Sequence, residues 1–243
     1  MRLYILDYGL FQVHEDGRLI GIPGYLIRTD TGQNILVDTG FPDWYVADPA
    51  EAARREGLDS FGRVVHLSPD NLPASQLARI GLIPTDITHL IMTHSHIDHV
   101  GGIADFPQAP IIVGAAERAC PRPLYWDELR PIPWPETATY LTIEQDTELY
   151  LGLTLLTTPG HSPGHLSLLV RLPHTGPVLL TADAISRPAE VEQDRFGGAW
   201  DEILVRASAQ RLLQLARQED AWIIYGHDPA QWPTLRKAPE FYD

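Results

Sequence analysis

Residues 93–99 read Thr-His-Ser-His-Ile-Asp-His and directly follow an apolar run with the composition of a buried β-strand. His94 and His96 are two residues apart, so an extended loop would point both imidazoles in the same direction. Asp98 and His99 are adjacent and can therefore point elsewhere, toward a second ion. Packing does not readily explain three histidines and a carboxylate within six residues, although a solvated polar loop is the simpler alternative. The stretch predicts a metal site at the end of a strand.

Three later segments repeat this arrangement, because each is an apolar run that ends in a side chain able to bind a metal. These side chains are His161, Asp183 and His227. Strand ends on a rigid scaffold can in this way present ligands for two ions. Cys120 is the only cysteine among 243 residues, which excludes disulfide frameworks, multi-cysteine zinc sites and iron–sulfur clusters. We expect Cys120 to be a small buried hydrophobe.

The composition is that of an ordinary globular protein, with 44% hydrophobic and 21% charged residues, which argues against disorder and coiled coil. The net charge of −14 argues against binding to nucleic acid or to an anionic membrane surface. No run approaches the roughly 18 apolar residues of a membrane span. Asp7 interrupts the apolar start of the chain, which is unlike a signal peptide. We therefore predict one cytoplasmic domain over residues 1–243.

Hydrophobic periodicity and turn residues predict short strands and helices along the whole chain. Strands are predicted at 3–8, 19–28, 34–38, 87–93, 110–113, 153–157, 166–170, 178–182 and 221–225, the first three as an antiparallel meander. Helices are predicted at 47–57, 74–80, 115–120 and 202–217, with Asp201 as the N-cap of the last. The proline-rich stretch 121–139 is expected to be irregular, as a lid or a partner surface. This alternation indicates layered sheets with helices outside.

The chain resembles the metallo-β-lactamase superfamily in the pattern His94-x-His96-x-Asp98-His99-Val-Gly-Gly, followed by Gly160-His161, Asp183 and His227. It is similar to the quorum-quenching N-acyl-homoserine lactone lactonases in the segments Thr-Pro-Gly-His161-Ser-Pro-Gly-His165 and Tyr-Gly-His227-Asp228. The resemblance implies an α/β fold, the αβ/βα sandwich, in which two mixed β-sheets carry helices on their outer faces.

The same resemblance implies a site for two divalent metal ions. The implied ligands are His94, His96 and His161 for the first ion, Asp98, His99 and His227 for the second, and Asp183 as the bridge. Neutral imidazole and carboxylate suit Zn²⁺, although Fe, Mn or Co would fit the same ligands.

The activity implied by the resemblance is that of a dinuclear hydrolase, which opens the lactone ring of N-acyl-homoserine lactones by attack of a metal-bridging hydroxide. The substrate would be a small neutral lactone or ester. Asp98 is expected to transfer the proton to the leaving alkoxide. Asp38 and Thr93 are expected to orient ligand histidines, with a strand-end turn residue as the alternative role for Asp38. His165 is expected to have a structural role at the start of a strand, with support of the site as the alternative.

One position departs from the lactonases. They carry a tyrosine three residues after the bridging aspartate, whereas this chain has Ser186, whose hydroxyl is shorter. A replacement phenol could come from Tyr8, Tyr45 or Tyr125, with ordinary, partly buried tyrosines as the alternative. The departure puts the identity of the substrate in doubt, and leaves the metal chemistry as expected.

The candidates for contact with the substrate are Phe41, Trp44, Ile97 and Ser186. For the aromatic residues, packing in the core is the alternative. The same metal site could also cleave another lactone, a thioester as in glyoxalase II, or a phosphotriester. Two other functions are less favoured. A redox di-iron protein would usually carry a carboxylate at the position of His96, and a non-catalytic relative would tend to lose ligands, whereas all seven ligand positions are filled in this chain. The oligomeric state is left open, with a homodimer as one option.

Overall fold

Two mixed β-sheets form the centre of the molecule, as predicted. The computed structural model describes residues 1–124 and 132–243. The first sheet has the order β4-β1-β2-β3-β5-β6-β7. Its strands are Arg2–Val13 (β1), Leu19–Arg28 (β2), Asn34–Val37 (β3), Gly62–His66 (β4), His89–Met92 (β5), Ile111–Gly114 (β6) and Tyr140–Ile143 (β7). The predicted meander of β1, β2 and β3 is confirmed, whereas β3, β5, β6 and β7 run parallel.

The second sheet has the order β12-β11-β10-β9-β8. Its strands are Thr147–Tyr150 (β8), Leu153–Thr157 (β9), Leu166–Leu172 (β10), Gly176–Leu180 (β11) and Trp222–Ile224 (β12). Only β11 and β12 pair in parallel. The ends of β9, β11 and β12 and the start of β10 therefore lie at one edge of the sheet.

Helices cover the outer faces of both sheets, which confirms the αβ/βα arrangement. They are Trp44–Ala47 (α1), Pro49–Glu56 (α2), Pro73–Ala78 (α3), Ile97–Val100 (α4), Ala115–Arg118 (α5), Pro188–Glu192 (α6) and Glu202–Glu219 (α7). The carboxylate of Asp201 accepts from the N–H groups of Ile203 and Leu204, so the predicted N-cap of α7 is confirmed. No helix in the described ranges is long and apolar enough to cross a membrane.

Alternation along the strands separates three apolar clusters. Side chains such as Leu3 and Ile5 of β1 point into the space between the sheets and pack on the second sheet. Their neighbours, Tyr4 and Leu6, point to the opposite face, where α2 and α3 pack. A third cluster joins the outer face of the second sheet to one face of α7. Burial on both faces explains why these strands read as continuous apolar runs.

Several predicted boundaries were wrong for local reasons. The helix predicted at 47–57 begins at Pro49 and ends at Glu56, because the backbone of Asp48 is not helical and separates α2 from α1, which ends at Ala47. The second predicted helix ends at Ala78. Sequence reasoning missed β4, β7 and β8, which are only four or five residues long and whose side chains are mostly exposed or half-buried. Cys120 is half-buried rather than buried. Within the proline-rich stretch, 121–124 and 132–139 are irregular and the remainder lies outside the described residues.

Candidate functional site

Strand ends from both sheets meet at one cleft, and the seven predicted ligands lie there. The ligand atoms within each of three groups lie within 4.8 Å of one another. The groups are His94, His96 and His161; His94, His99 and Asp183; and Asp98, His99 and His227. The first and third groups are the two ligand sets that the resemblance implies. The second group joins them, because it contains Asp183 and one histidine of each set.

The edges of the two sheets are held together directly beside these groups. The N–H of Leu166, which begins β10, donates to the carbonyl of Thr93 at 2.8 Å. This bond connects the end of β5 to the edge of the second sheet from which His161 and Asp183 extend. Residues that are far apart in sequence are thus brought into one cleft.

The ligand segment after β5 is partly helical. Asp98 and His99 lie in α4, a single turn, because the N–H groups of His99 and Val100 donate to the carbonyl of His96 at 3.0 and 3.1 Å. The expected extended loop therefore ends at His96. Because of this helical turn, Asp98 and His99 point in a different direction from His94 and His96 and meet His227 instead, as expected.

Close backbone approach positions Asp183 and His227 beside each other. Ala182 has φ of +44°, in the left-handed region that L-residues rarely adopt, and turns the chain immediately before Asp183. Gly226 precedes His227, and a Cβ atom there would lie 2.5 Å from the carbonyl oxygen of Ala182 and 2.8 Å from Oδ1 of Asp183. Only glycine permits this approach.

Carboxylates and imidazoles share the buried centre, and their charges perturb one another. Burial lowers the pKa of His99 and His227, but nearby carboxylates raise it: chiefly Asp98 and Asp38 bring the pKa of His99 to about 10, and chiefly Asp183 brings that of His227 to about 9. Burial holds the pKa of His94 and of His161 well below the usual range. The protein alone therefore gathers positive charge around Asp98 and Asp183, as a bound cation would.

Three unpartnered atoms indicate that the residues fit a metal. Within the described residues, Nε2 of His94, Nε2 of His99 and Oδ1 of Asp183 are buried and make no hydrogen bond, although Oδ1 of Asp183 lies 3.2 Å from Nε2 of His227. Buried polar atoms are nearly always paired, so a cluster of three needs an explanation. Imidazole nitrogens and a carboxylate oxygen are the donor set of a divalent transition metal such as Zn²⁺.

Asp38 and Thr93 contact the ligands, as expected. Oδ1 of Asp38 accepts from the N–H of Thr93 at 2.8 Å, and Oδ2 accepts from the Thr93 hydroxyl at 2.7 Å. Oδ2 also lies 2.8 Å from Nδ1 of His99, which leaves Nε2 of that ring facing the centre. His227 has the same orientation, because its Nδ1 lies 2.9 Å from the carbonyl oxygen of Gly21. Such outer contacts fix which nitrogen meets a metal.

Two further buried groups support the site, and sequence reasoning undervalued one and missed the other. His165 is fully buried, its pKa is lowered to about 3 by burial, and its Nε2 accepts from the N–H of Asp183 at 3.1 Å. It therefore supports the site, the role weighed as the alternative. Glu117 in α5 is also fully buried and binds both ligand loops. The second histidine of the Gly-His-Ser-Pro-Gly-His segment was a signal for His165, whereas none marked Glu117.

A cavity of about 130 Å³ opens beside the ligands. Among the predicted substrate contacts, Phe41 and Ser186 line this cavity. Trp44 and Ile97 do not: the Trp44 indole donates to Glu56 at 2.8 Å, and Ile97 is buried in the core. The lining residues that sequence reasoning missed are Phe11, Arg18, Ile20, Leu58, Phe61, Arg187, Glu190, Gly197 and Gly198.

Neither described tyrosine candidate lines the cavity. The Tyr8 hydroxyl lies 3.4 Å from the carbonyl oxygen of Asp38, and the Tyr45 hydroxyl donates to Glu56 at 2.7 Å. Both rings are buried in the core. Tyr125 lies outside the described residues.

Comparison with known proteins agrees with this geometry. The chain matches the metallo-beta-lactamase superfamily over residues 20–227. It is 36% identical over 235 residues to an N-acyl homoserine lactonase of Bacillus thuringiensis, with 93% of this chain and 89% of the relative covered. It is 35% identical over 268 residues to the N-acyl homoserine lactonase AttM of Rhizobium radiobacter, with 100% and 98% covered.

A solved structure of an N-acyl homoserine lactone hydrolase, with the product N-hexanoyl-L-homoserine bound at its catalytic metal centre, has a TM-score of 0.83 to this chain. The two are 30% identical, and 99% of this chain and 98% of the other are covered. These similarities confirm the predicted fold and the predicted class of enzyme, a metal-dependent hydrolase. The chain belongs to the metallo-beta-lactamase superfamily and, within it, to the family of the N-acyl homoserine lactonases.

Proposed function

We propose that this protein opens the lactone ring of N-acyl-homoserine lactones with two divalent ions, Zn²⁺ by preference, held by the seven converging side chains. The observation that carries the proposal is the meeting of three ligand groups beside a mainly apolar cavity. The names of relatives that cover nearly the whole chain support the same substrate. The ion set would be His94, His96 and His161 for one metal, Asp98, His99 and His227 for the other, and Asp183 between them.

Ions bound there would lower the pKa of a bound water into the neutral range and would polarise the lactone carbonyl. The protein's own contribution is orientation and proton transfer. Asp98 is the residue for the proton, because it borders both the ligand groups and the cavity. Its Oδ2 lies 3.6 Å from Nε2 of both His99 and His227, so the carboxylate is held between two rings, and Asp98 also lines the cavity. Asp98 would take up the proton that the attacking water gives up and pass it to the leaving alkoxide.

The cavity wall suits an acyl chain. Its apolar side chains come from separate elements and are Phe11, Ile20, Phe41, Leu58 and Phe61. Contact with such a wall favours an alkyl tail through the hydrophobic effect, at about 25 cal/mol per Å² of apolar surface buried. The net charge of −14 would become −10 with two divalent cations bound (−14 + 4), which disfavours a polyanionic substrate.

A substrate panel tests the proposal. Purified protein should contain close to two metal ions per chain, and it should release acid from N-acyl-homoserine lactones faster than from other esters. A thioester and a phosphotriester are measured beside the lactones. His96→Ala should abolish hydrolysis, while the control His174→Ala, at a side chain that is 81% exposed, should leave the rate unchanged. Turnover of only the thioester or the phosphotriester would refute the substrate, and one ion or none per chain would refute the paired site.

A further inference from the structure

We propose that His165 is a positioning residue for Asp183, held as the tautomer with its proton on Nδ1 by a buried chain of hydroxyl groups, and that its Nε2 is thereby closed to metal. His165 is the histidine of the cleft that belongs to none of the three ligand groups. The inference rests on the proposed function only in taking Asp183 as a ligand of that site.

The hydrogen bond from Asp183 shows which ring nitrogen of His165 carries the proton. The backbone N–H of Asp183 can only donate, and it lies 3.1 Å from Nε2 of His165. Nε2 must therefore carry a lone pair rather than a proton. A ring with a lone pair on Nε2 cannot be the doubly protonated cation, so it is neutral and its single proton lies on Nδ1.

The hydrogen bonds at the opposite end of the hydroxyl series, at Thr181, also require the proton of His165 to be on Nδ1. The carbonyl of Thr181 can only accept, so the Ser167 hydroxyl donates to it at 2.8 Å. The Thr158 hydroxyl then donates to the Ser167 oxygen at 2.9 Å. Thr158 Oγ1 is left to accept from Nδ1 of His165, 2.8 Å away. The alternative acceptor for Thr158, the His165 carbonyl, is farther at 3.5 Å.

Burial fixes the directions of the hydrogen bonds in this series of hydroxyl groups. Thr158, His165, Ser167 and Thr181 all have 0% exposed surface, so water cannot compete for their hydrogen bonds. Both termini are backbone groups, which cannot rotate as hydroxyls do. The directions of the bonds between them therefore have a single consistent solution.

The position of the His165 imidazole explains the effect of these hydrogen bonds on the site. Its centre is 5.2 Å from the ring of His94 and 5.9 Å from that of His161, so the ring of His165 adjoins the first ligand group. The lone pair on its Nε2 is occupied by the amide directly after the left-handed residue Ala182. The bond holds a backbone turn that would otherwise be free to relax, and with it the direction of the Asp183 carboxylate.

The tautomer is read directly by ¹⁵N NMR of the zinc-loaded full chain, in which the two ring nitrogens of His165 have distinct shifts. Its signals are assigned by their loss in His165→Gln. The expected result is one neutral tautomer with the proton on Nδ1. A proton on Nε2, a mixture of tautomers, or a zinc-dependent shift typical of a metal-bound nitrogen would overturn the proposal.

Variants of the hydroxyl chain provide the second measurement. Thr158→Val keeps the shape but removes the acceptor, so His165 should become a mixture of tautomers and kcat should fall about tenfold with little change in KM. Thr158→Ser should restore both readouts, and Thr154→Val on the outer side of β9 is the control. Unchanged ¹⁵N signals and kcat in Thr158→Val would overturn the role of the chain. If no lactone is hydrolysed at all, the proposed function fails, while the NMR result still decides this proposal.

Discussion

Glu117→Gln is the most informative single substitution at the base of the site, because one buried carboxylate joins two ligand loops. Oε1 of Glu117 accepts from the N–H and the hydroxyl of Ser95 at 3.0 and 2.5 Å. Oε2 accepts from the Ser162 hydroxyl at 2.6 Å and from the N–H of Gly164 at 3.0 Å. Ser95 lies between the first two ligand histidines, and Ser162 follows His161 directly.

The expected loss of stability can be worked from these four bonds. Glutamine has the same shape but replaces one oxygen by an NH₂ group, which faces one hydroxyl and one backbone N–H. The hydroxyl can rotate and accept, whereas the N–H is left unsatisfied at about 1–3 kcal/mol. The remaining bonds also lose the strength that a charged acceptor provides. Glutamine also removes the cost of burying the negative charge of Glu117, which offsets part of this loss. In total we expect the free energy of unfolding to fall by about 2–4 kcal/mol.

The assay is urea denaturation of wild type, Glu117→Gln and the exposed control Glu144→Gln, with zinc affinity measured on the same samples. The loosened loops should also weaken zinc binding by about 10- to 100-fold. The control should change neither quantity. A change in unfolding free energy below about 0.5 kcal/mol for Glu117→Gln, with normal zinc affinity, would refute the reasoning.

Two further substitutions test the surroundings of the ligands. Asp38→Asn should lower kcat by about 10- to 100-fold with normal folding, because the amide no longer holds Nδ1 of His99 through a charged oxygen; steady-state kinetics with unchanged kcat would count against this. Burial raises the pKa of Glu190 from 4.5 to about 7, so the folded protein binds this proton more tightly than the unfolded chain. Stability from this group is therefore complete below about pH 4.5 and is lost as the pH rises to about 7, by about 3 kcal/mol. Glu190→Gln should remove that part of the slope in urea titrations of chelator-treated protein, and an identical slope in both proteins would contradict it.

Much of the site was predictable because its chemistry is concentrated in local patterns. The spacing of His94, His96, Asp98 and His99 after an apolar run is visible in the residues themselves, since no packing requirement produces it. Strand ends that carry a histidine or an aspartate add the other three candidate ligands. β2 and α7 were predictable too, because they bury one face or both and therefore show an apolar run or period, whereas only the first half of β1 was predicted.

Other features depend on contacts between distant segments. The Glu117 carboxylate meets groups 22 and 45–47 residues away along the chain, and no local pattern encodes such a meeting. Trp44 was predicted to contact the substrate, but its indole N–H donates to the carboxylate of Glu56 at the end of α2. Ile97 sits on the buried side of α4, a turn that short sequence windows do not distinguish from a loop.

The sequence by itself determined the seven candidate ligands, the layered fold and the class of enzyme, because candidate metal ligands and amphipathic strands leave signatures within a few residues. Tertiary structure alone decided how the ligands are held. The tautomer of His165 follows from a hydroxyl chain that crosses β9 and β10 and ends on the carbonyl of Thr181. Hydrogen-bond direction is a property of atoms in space, so it exists only once the strands have paired.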